Sequence, residues 1–520
     1  MIIIKRNLLL FLTPISLFVI TSFWQNRDVT VFDKIKVDGG YVSGTVNSTG
    51  DVHFFKGIPF AAPPVGKLRW RAPQPVLPWN GVKVCDKFGP SPMQANPVPF
   101  SMWSQEFLIP KEPISEDCLY LNLWTPAISS KEKRAVLVWI YGGGFSSGGS
   151  AVPIYDGEAM AKKGIMFVSI NYRVGIFGFF ANPQLTKESG YQASGNYGLL
   201  DQIAALKWIQ KNIAAFGGDP ANVTIAGQSA GSMSVNCLVA SELAKNLFQK
   251  AIGESGASFT GGNINLENAE QQGEKIMLSL GDTSIAEMRA IPAEELMKKA
   301  QGHFAPVIDG YVLQDAINKI FMDGKENKVP LLTGWNEEEG LTTGPLKSAA
   351  DYRRQIEKEY GADSQEFLQF YPAINDLEAN QSQLRLSRDI IFGVQNYTWA
   401  NIESSQGLNV YVYRFIRRPP ATGEYKRYGA FHTAEVPYAY DNLQFVNRPW
   451  ESVDYKLADI MSSYWVNFAK SGNPNGESLP EWSAYKTGDK KIMLLGKTQE
   501  SEIIPGKDAL DFLYKIMTKK

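Results

Sequence analysis

Histidine and cysteine are scarce: the 520-residue chain has three of each. No Cys/His spacing suits a zinc site, so a metal centre is not expected. Any imidazole chemistry must come from His53, His303 or His432. A charge surplus is missing too, since 52 Lys and Arg stand against 53 Asp and Glu. The chain therefore offers no excess of positive charge for nucleic acid or another polyanion. Beyond the first two dozen residues no apolar run approaches the length of a membrane span. There is no internal repeat and no low-complexity tract, which excludes a repeat array or a disordered chain.

Against these absences stands one pattern, Gly227-Gln228-Ser229-Ala230-Gly231. It follows an apolar run, Val223 to Ala226, and precedes a small-residue stretch with helical character. A G-x-S-x-G between strand and helix is the arrangement of a nucleophile elbow: the glycines remove side chains that would collide in a sharp turn, and the serine hydroxyl is left exposed. The helix that follows directs its first amides at the reacting centre, where they can bind a developing oxyanion.

The surrounding pattern is α/β. Ala135 to Tyr141 is an almost unbroken apolar strand that runs into Gly142-Gly143-Gly144-Phe145, and a glycine loop after a buried strand lets backbone amides approach a ligand. Ile165 to Asn171 is another buried strand. Leu199, Ile203, Leu206, Ile209, Ile213 and Phe216 recur at helical spacing, and Gly217-Gly218-Asp219-Pro220 stops that helix. Strand, helix and strand in this order form a right-handed crossover in a mostly parallel sheet, with functional residues at the carboxyl ends of the strands. Tyr41 to Phe60 alternates like antiparallel edge strands. Further strands are expected at Ala251 to Ser255, Val329 to Trp335 and Val410 to Phe415, and helix starts at Ser284 and Pro292. Residues 348–405 are polar and helical in pattern, an insertion expected to cover the site, and Tyr455 to Lys470 reads as a late amphipathic helix.

A serine nucleophile needs a base and an orienting acid. In the chain order serine, acid, histidine, His53 is excluded. His432 is preferred to His303, because His303 would need its acid between positions 229 and 303 and is soon followed by Pro306, whereas His432 follows an expected strand through a loop and has Glu337-Glu338-Glu339 upstream. Asp309 is the alternative acid.

Residues 1–24 read as a targeting segment: Lys5 and Arg6, then an apolar run from Leu8 to Ile20 broken by Pro14, then Thr21 and Ser22. Cleavage would make the product secreted or periplasmic, and an uncleaved anchor is the other reading. Residues 25–520 then form one catalytic domain. Cys85 and Cys118 bracket a Pro-rich stretch that a disulfide would staple, contributing roughly 3 to 4 kcal/mol. Cys237 lies on the helix after Ser229 and reads as an apolar filler.

Several segments resemble the type-B carboxylesterase family, which includes carboxylesterases, cholinesterases and para-nitrobenzyl esterases. They are Gly57-Ile58-Pro59, Pro63-Pro64-Val65-Gly66 with Leu68-Arg69, Glu116 to Asn122, Asn171-Tyr172-Arg173-Val174-Gly175, Asp219-Pro220, the serine pentapeptide, Gly429 to Tyr438 and Trp465 to Asn475. The resemblance implies an α/β-hydrolase fold with large insertions over the active site. It implies a nucleophile at Ser229, a base at His432 and an acid at Glu339. It further implies oxyanion donors at Gly143, Gly144 and Ala230, a Cys85 to Cys118 disulfide, a small-molecule ester substrate and no cofactor. Departures are also visible. Gln228 stands where many cholinesterases have glutamate, Tyr141 opens the glycine loop in place of histidine, and residues 256–280 contain no cysteine for a further bridge. Two rival readings are a binding or adhesion protein that has kept the fold, and a hydrolase of amides, lactones or lipids.

Overall fold

The computed structural model describes residues 34–518 apart from 261, 262, 282 and 343. The expected targeting segment at 1–24 lies outside the described residues.

Eleven strands form the main sheet. In chain order they are β1 (Thr45–Val46), β2 (His53–Pro59), β3 (Tyr120–Thr125), β4 (Arg134–Ile140), β5 (Met166–Ile170), β6 (Gly218–Gln228), β7 (Lys250–Glu254), β8 (Leu331–Asn336), β9 (Val410–Phe415), β10 (Lys491–Leu495) and β11 (Gln499–Ile503). Across the sheet they run β11-β10-β9-β8-β7-β6-β4-β5-β3-β2-β1. All pairings from β10 through to β5 are parallel. The outer pairings β5 to β3, β3 to β2, β2 to β1 and β10 to β11 are antiparallel. The sheet is thus parallel in its centre and antiparallel at both margins.

The central strands are apolar because helices cover both faces. Val136, Leu137, Val138, Trp139 and Ile140 of β4 are fully buried, as are Val223, Ile225 and Ala226 of β6. Tyr197–Asn212 is the crossover helix between β5 and β6, and a 3₁₀ turn, Ile213–Phe216, extends it to the Gly217 stop in left-handed conformation. Ser284 caps the helix Ile285–Ala290 through a capping box with Glu287. The stretch expected as a helical insertion contains Ala349–Tyr360, Ser364–Phe370, Asp376–Arg388 and Val394–Ser405. Its first helices pack with the C-terminal helix Lys507–Thr518 around a second apolar cluster that includes Tyr352, Phe367 and Phe512.

Buried ion pairs join the distinctive sequence segments. Arg69 makes a two-pronged contact with Glu116, at 2.7 and 2.6 Å. Arg173, just beyond β5, clamps Asp201 of the crossover helix at 2.8 and 2.7 Å. A guanidinium that matches a carboxylate in this way fixes orientation as well as distance.

The expected Cys85 to Cys118 bridge is not formed: both are free buried thiols, as is Cys237. Strand register explains the difference. Cys85 bonds through its backbone to Ser43 and Lys56. The chain that runs beside residues 114–115 is instead Ser91–Pro92, and Met93 shares a small cavity with Cys118. Burial pushes the Cys85 thiol up to about 12. Low exposure and a protonated sulfur make such thiols unreactive.

Candidate active site

The elbow is built as the glycines require. Ser229, between β6 and the helix Ala230–Ala240, has φ 59° and ψ −126°, a strained backbone for a residue with a side chain. A Cβ on Gly227 would lie 2.5 Å from the Gly231 carbonyl, and one on Gly231 would lie 2.0 Å from Ile140 O. Neither position tolerates a side chain. The Ser229 amide is held by Glu254 O at 2.9 Å.

His432 follows β9 through a loop, and Glu339 follows β8, so both reach the carboxyl edge of the sheet beside the elbow. His432 Nε2 lies 2.8 Å from Ser229 Oγ, and Nδ1 lies 2.8 Å from Glu339 Oε2. A proton on Nδ1 satisfies both contacts: Nδ1 donates to the carboxylate, and Nε2 accepts the serine hydroxyl. Glu339 Oε1 accepts from the Asn336 amide at 2.7 Å and from Ser255 Oγ at 3.1 Å. His432 and Glu339 are buried. Burial depresses the imidazole pKa and raises that of the carboxyl, the latter opposed by the Asn336 and Ser255 hydrogen bonds and by the charges of Arg388 and Arg414. The resting imidazole is therefore neutral and able to take a proton.

The neighbouring glutamates go elsewhere. Glu338 accepts the Ala430 amide at 2.8 Å and pairs with Arg418. Glu337 bridges Arg388 at 3.0 Å and Arg414 at 3.1 Å. Asp309 Oδ1 accepts the amides of Tyr311, Val312 and Leu313, which makes it a turn cap. His303 is exposed in a loop beside Phe304, and His53 begins strand β2, between Val46 of β1 and Thr125 of β3.

Gly143 and Gly144 have φ of 117° and 61° and line, with Ser229 and His432, a cleft of about 540 Å³. Among the described residues, the amides of Gly143, Gly144 and Ala230 donate to no other group of the chain. Among the described residues no Lys, Arg, Asp or Glu lines the cleft, whose walls include Phe100, Trp103, Phe107 and Tyr155.

The sequence profile of the carboxylesterase family matches residues 32–513. The chain belongs to the carboxylesterase family. It is 37% identical to the fumonisin B1 esterase of Sphingopyxis macrogoltabida over 85% of this chain and 84% of that protein. It is 34% identical to the para-nitrobenzyl esterase of Bacillus subtilis (strain 168), over 88% and 93% of the two chains. A solved structure of a PNB esterase superposes with a TM-score of 0.81 at 32% identity, covering 93% of this chain and 99% of the other. The fold is that of the α/β hydrolases, and this carboxylesterase is a carboxylic ester hydrolase of the serine hydrolase kind.

Sequence reasoning missed three features of this carboxylesterase site. Phe392 stacks on the His432 ring with centroids 4.4 Å apart and planes 18° from parallel. Gln228 Nε2 lies 3.3 and 3.2 Å from the two imidazole nitrogens. An atom that near to both must sit over the ring, since Cε1 blocks the in-plane approach, so Gln228 covers the face that Phe392 leaves open. Trp103 lies edge-on to His432, centroids 6.3 Å apart, and its Nε1 donates to Thr433 Oγ1 at 3.1 Å. Only Gln228 carried a signal, its place in the pentapeptide. Phe392 arrives from a π-helical turn, Asp389–Gly393, and Trp103 from a distant loop, neither with a local pattern.

Proposed function

We propose that the protein hydrolyses uncharged carboxylic esters through an acyl-enzyme on Ser229. Ser229 Oγ attacks the ester carbonyl while His432 Nε2 takes its proton. The tetrahedral oxyanion is held by the amides of Gly143, Gly144 and Ala230. Collapse expels the alcohol, protonated by His432, and water then enters by the same route to release the acid and restore the serine. Glu339 holds the imidazole in its tautomer and balances the imidazolium as it forms. The observation that carries this reading is the continuous hydrogen-bonded line from Ser229 through His432 to Glu339, 2.8 Å at each step.

The proposed preference for uncharged esters rests on a cleft that, among the described residues, is lined by no Lys, Arg, Asp or Glu and by a neutral imidazole. Burying an ionised group without a partner costs several kcal/mol. Export to a secreted or periplasmic location is proposed from residues 1–24 alone, because the free cysteines lend it no support.

The test is a panel of activated esters of increasing acyl length on purified protein, with Ser229→Ala as the blank. Turnover by the wild type and none by the variant supports the reading, and equal turnover by the two overturns it.

A further inference from the structure

Among the described residues, Gln94 is the one side chain from outside the loop that hydrogen-bonds the loop presenting the Gly143 and Gly144 amides. Gln94 is buried and stands just beyond the short strand Ser91–Pro92. Its side-chain amide bonds Gly148 in both directions: Gly148 N donates to Oε1 at 2.8 Å, and Nε2 donates to Gly148 O at 2.7 Å. Nε2 also donates to Pro92 O at 2.9 Å. Reversing the amide would set its oxygen against two carbonyl oxygens, so the network fixes the orientation.

Gly148 is in turn packed directly onto the start of the glycine loop. It has φ 110°, and a Cβ there would meet Gly142 O at 2.4 Å and the Tyr141 ring at 2.5 Å. A Cβ on Gly142 would meet Gln228 O at 2.6 Å and the Ser229 Cβ at 2.9 Å. Backbone therefore touches backbone from Gly148 through Gly142 to the elbow, with no side chain between to absorb a shift. Inside the loop the Ser146 and Ser147 amides both close on Gly143 O at 3.1 Å, so residues 143–147 move as a unit. Gln94 lines the cleft, yet its donors and acceptor are committed to Gly148 and Pro92. It has the geometry of a brace and not of a substrate ligand.

We infer that Gln94 is a positioning residue for transition-state stabilisation: its two-way bond to Gly148 fixes where the Gly143 and Gly144 amides point. This rests on the oxyanion reading given under Proposed function. Donors act on the transition state only when they already sit where the charge develops, and a displacement near 1 Å costs on the order of a hundredfold in rate. A side chain that sets that placement governs kcat and leaves ground-state binding, which is made by the cleft walls, nearly unchanged.

The experiment uses Gln94→Met, which keeps length and volume while removing all three hydrogen bonds, and Gln94→Glu, which keeps shape and Oε1 while removing the donors. Each is compared with the wild type for kcat, for KM, and for binding of an aryl trifluoromethyl ketone carrying ¹³C at the carbonyl. Ser229 Oγ adds to that carbonyl, its proton passes to His432, and the former carbonyl oxygen becomes the oxyanion of a hemiketal. The ¹³C shift reads whether that oxygen is ionised. In the wild type the adduct is expected to be ionised at neutral pH. In both variants kcat is expected to fall about ten- to a hundredfold with KM within about threefold, and the oxyanion to titrate about one to two pH units higher, the same factor expressed as a pKa. A neutral wild-type adduct overturns the oxyanion reading itself. An ionised wild-type adduct with identical titration and kcat in the variants overturns the role of Gln94 alone. A loss confined to KM overturns it as well, because that is the effect of a cleft wall. If Gln94→Met fails to fold, the titration of Gln94→Leu decides, since it too removes the three hydrogen bonds and adds no charge to the cleft.

Discussion

Asn336 holds Glu339 from three residues upstream: its backbone amide donates to Glu339 Oε1 at 2.7 Å. The same residue turns its side-chain amide to the Phe431 carbonyl at 2.8 Å, one residue before His432, and to Glu435. Glu339 and the segment that carries His432 are therefore both tied to one residue at the end of β8. Replacing Asn336 by leucine removes both side-chain bonds and leaves Glu435 and the Phe431 carbonyl buried without that donor. The expected loss is about 1 to 3 kcal/mol of stability, read as a lower urea midpoint, together with a fall in kcat greater than any change in KM. A midpoint and a kcat both equal to wild type contradict this account of the Asn336 side chain.

The three consecutive glutamates should separate. Glu339→Gln is expected to lower kcat by on the order of a hundred- to ten-thousandfold, because the amide can donate to His432 Nδ1 and favour the wrong tautomer. Glu338→Gln should leave kcat within a few-fold. Glu337→Gln should also spare kcat but lower stability by about 1 to 2 kcal/mol, since it weakens the partner shared by buried Arg388 and Arg414 while remaining partly solvated itself. Steady-state kinetics and urea unfolding of the three variants check the order, and a uniform response across them contradicts it.

The acid limb of the activity profile should lie low. A histidine ordinarily titrates near 6.5, and burial holds His432 below that value. Activity needs the neutral imidazole, so kcat/KM should persist as pH falls through about 6.5 and decline only at lower pH. The same shift has a stability consequence of definite sign. The unfolded chain takes up the proton first, so this contribution is fully present above about 6.5 and is lost as pH falls towards the folded value. A half-maximal point above 6.5 in the kcat/KM profile contradicts the assignment of that limb to a buried His432.

Neutral esters should be preferred to choline esters of the same acyl group. Trp103 stands beside His432 and gives a cation an aromatic face worth about 0.5 to 2 kcal/mol, yet Gln228 supplies no charge and among the described residues no carboxylate lines the cleft. Comparing kcat/KM for pairs of esters matched in leaving-group pKa isolates binding from reactivity. A higher value for the cationic member contradicts the expectation.

Much of the frame was legible in the sequence because parallel strands buried on both faces leave apolar runs, as β4 and β6 do, and because glycines that cannot bear a Cβ punctuate the turns between them. The Ser229 turn was legible from the same local signals, whereas the order serine, acid, histidine came from the arrangement expected of an α/β hydrolase. Glu339 could be separated from Glu337 and Glu338 only by resemblance, since three adjacent glutamates look alike until a loop turns one inward. The disulfide reading failed at Cys85 because nearness in sequence to a Pro-rich loop does not fix which strand lies beside Cys118. The margins β10 and β11 and the helix Lys507–Thr518 went unread, being short elements without a motif. Phe392, Trp103 and Gln94 owe their places to packing between distant segments, which spacing along the chain does not encode.

The central claim is that Ser229 carries the acyl group during turnover. It is tested by rapid acid quench of the enzyme with an activated ester that deacylates slowly, followed by peptide mass spectrometry. The account predicts an early burst of about one alcohol per chain and an acyl adduct on the peptide containing Ser229, both absent in Ser229→Ala. An adduct on another residue, or full turnover by Ser229→Ala, would contradict it.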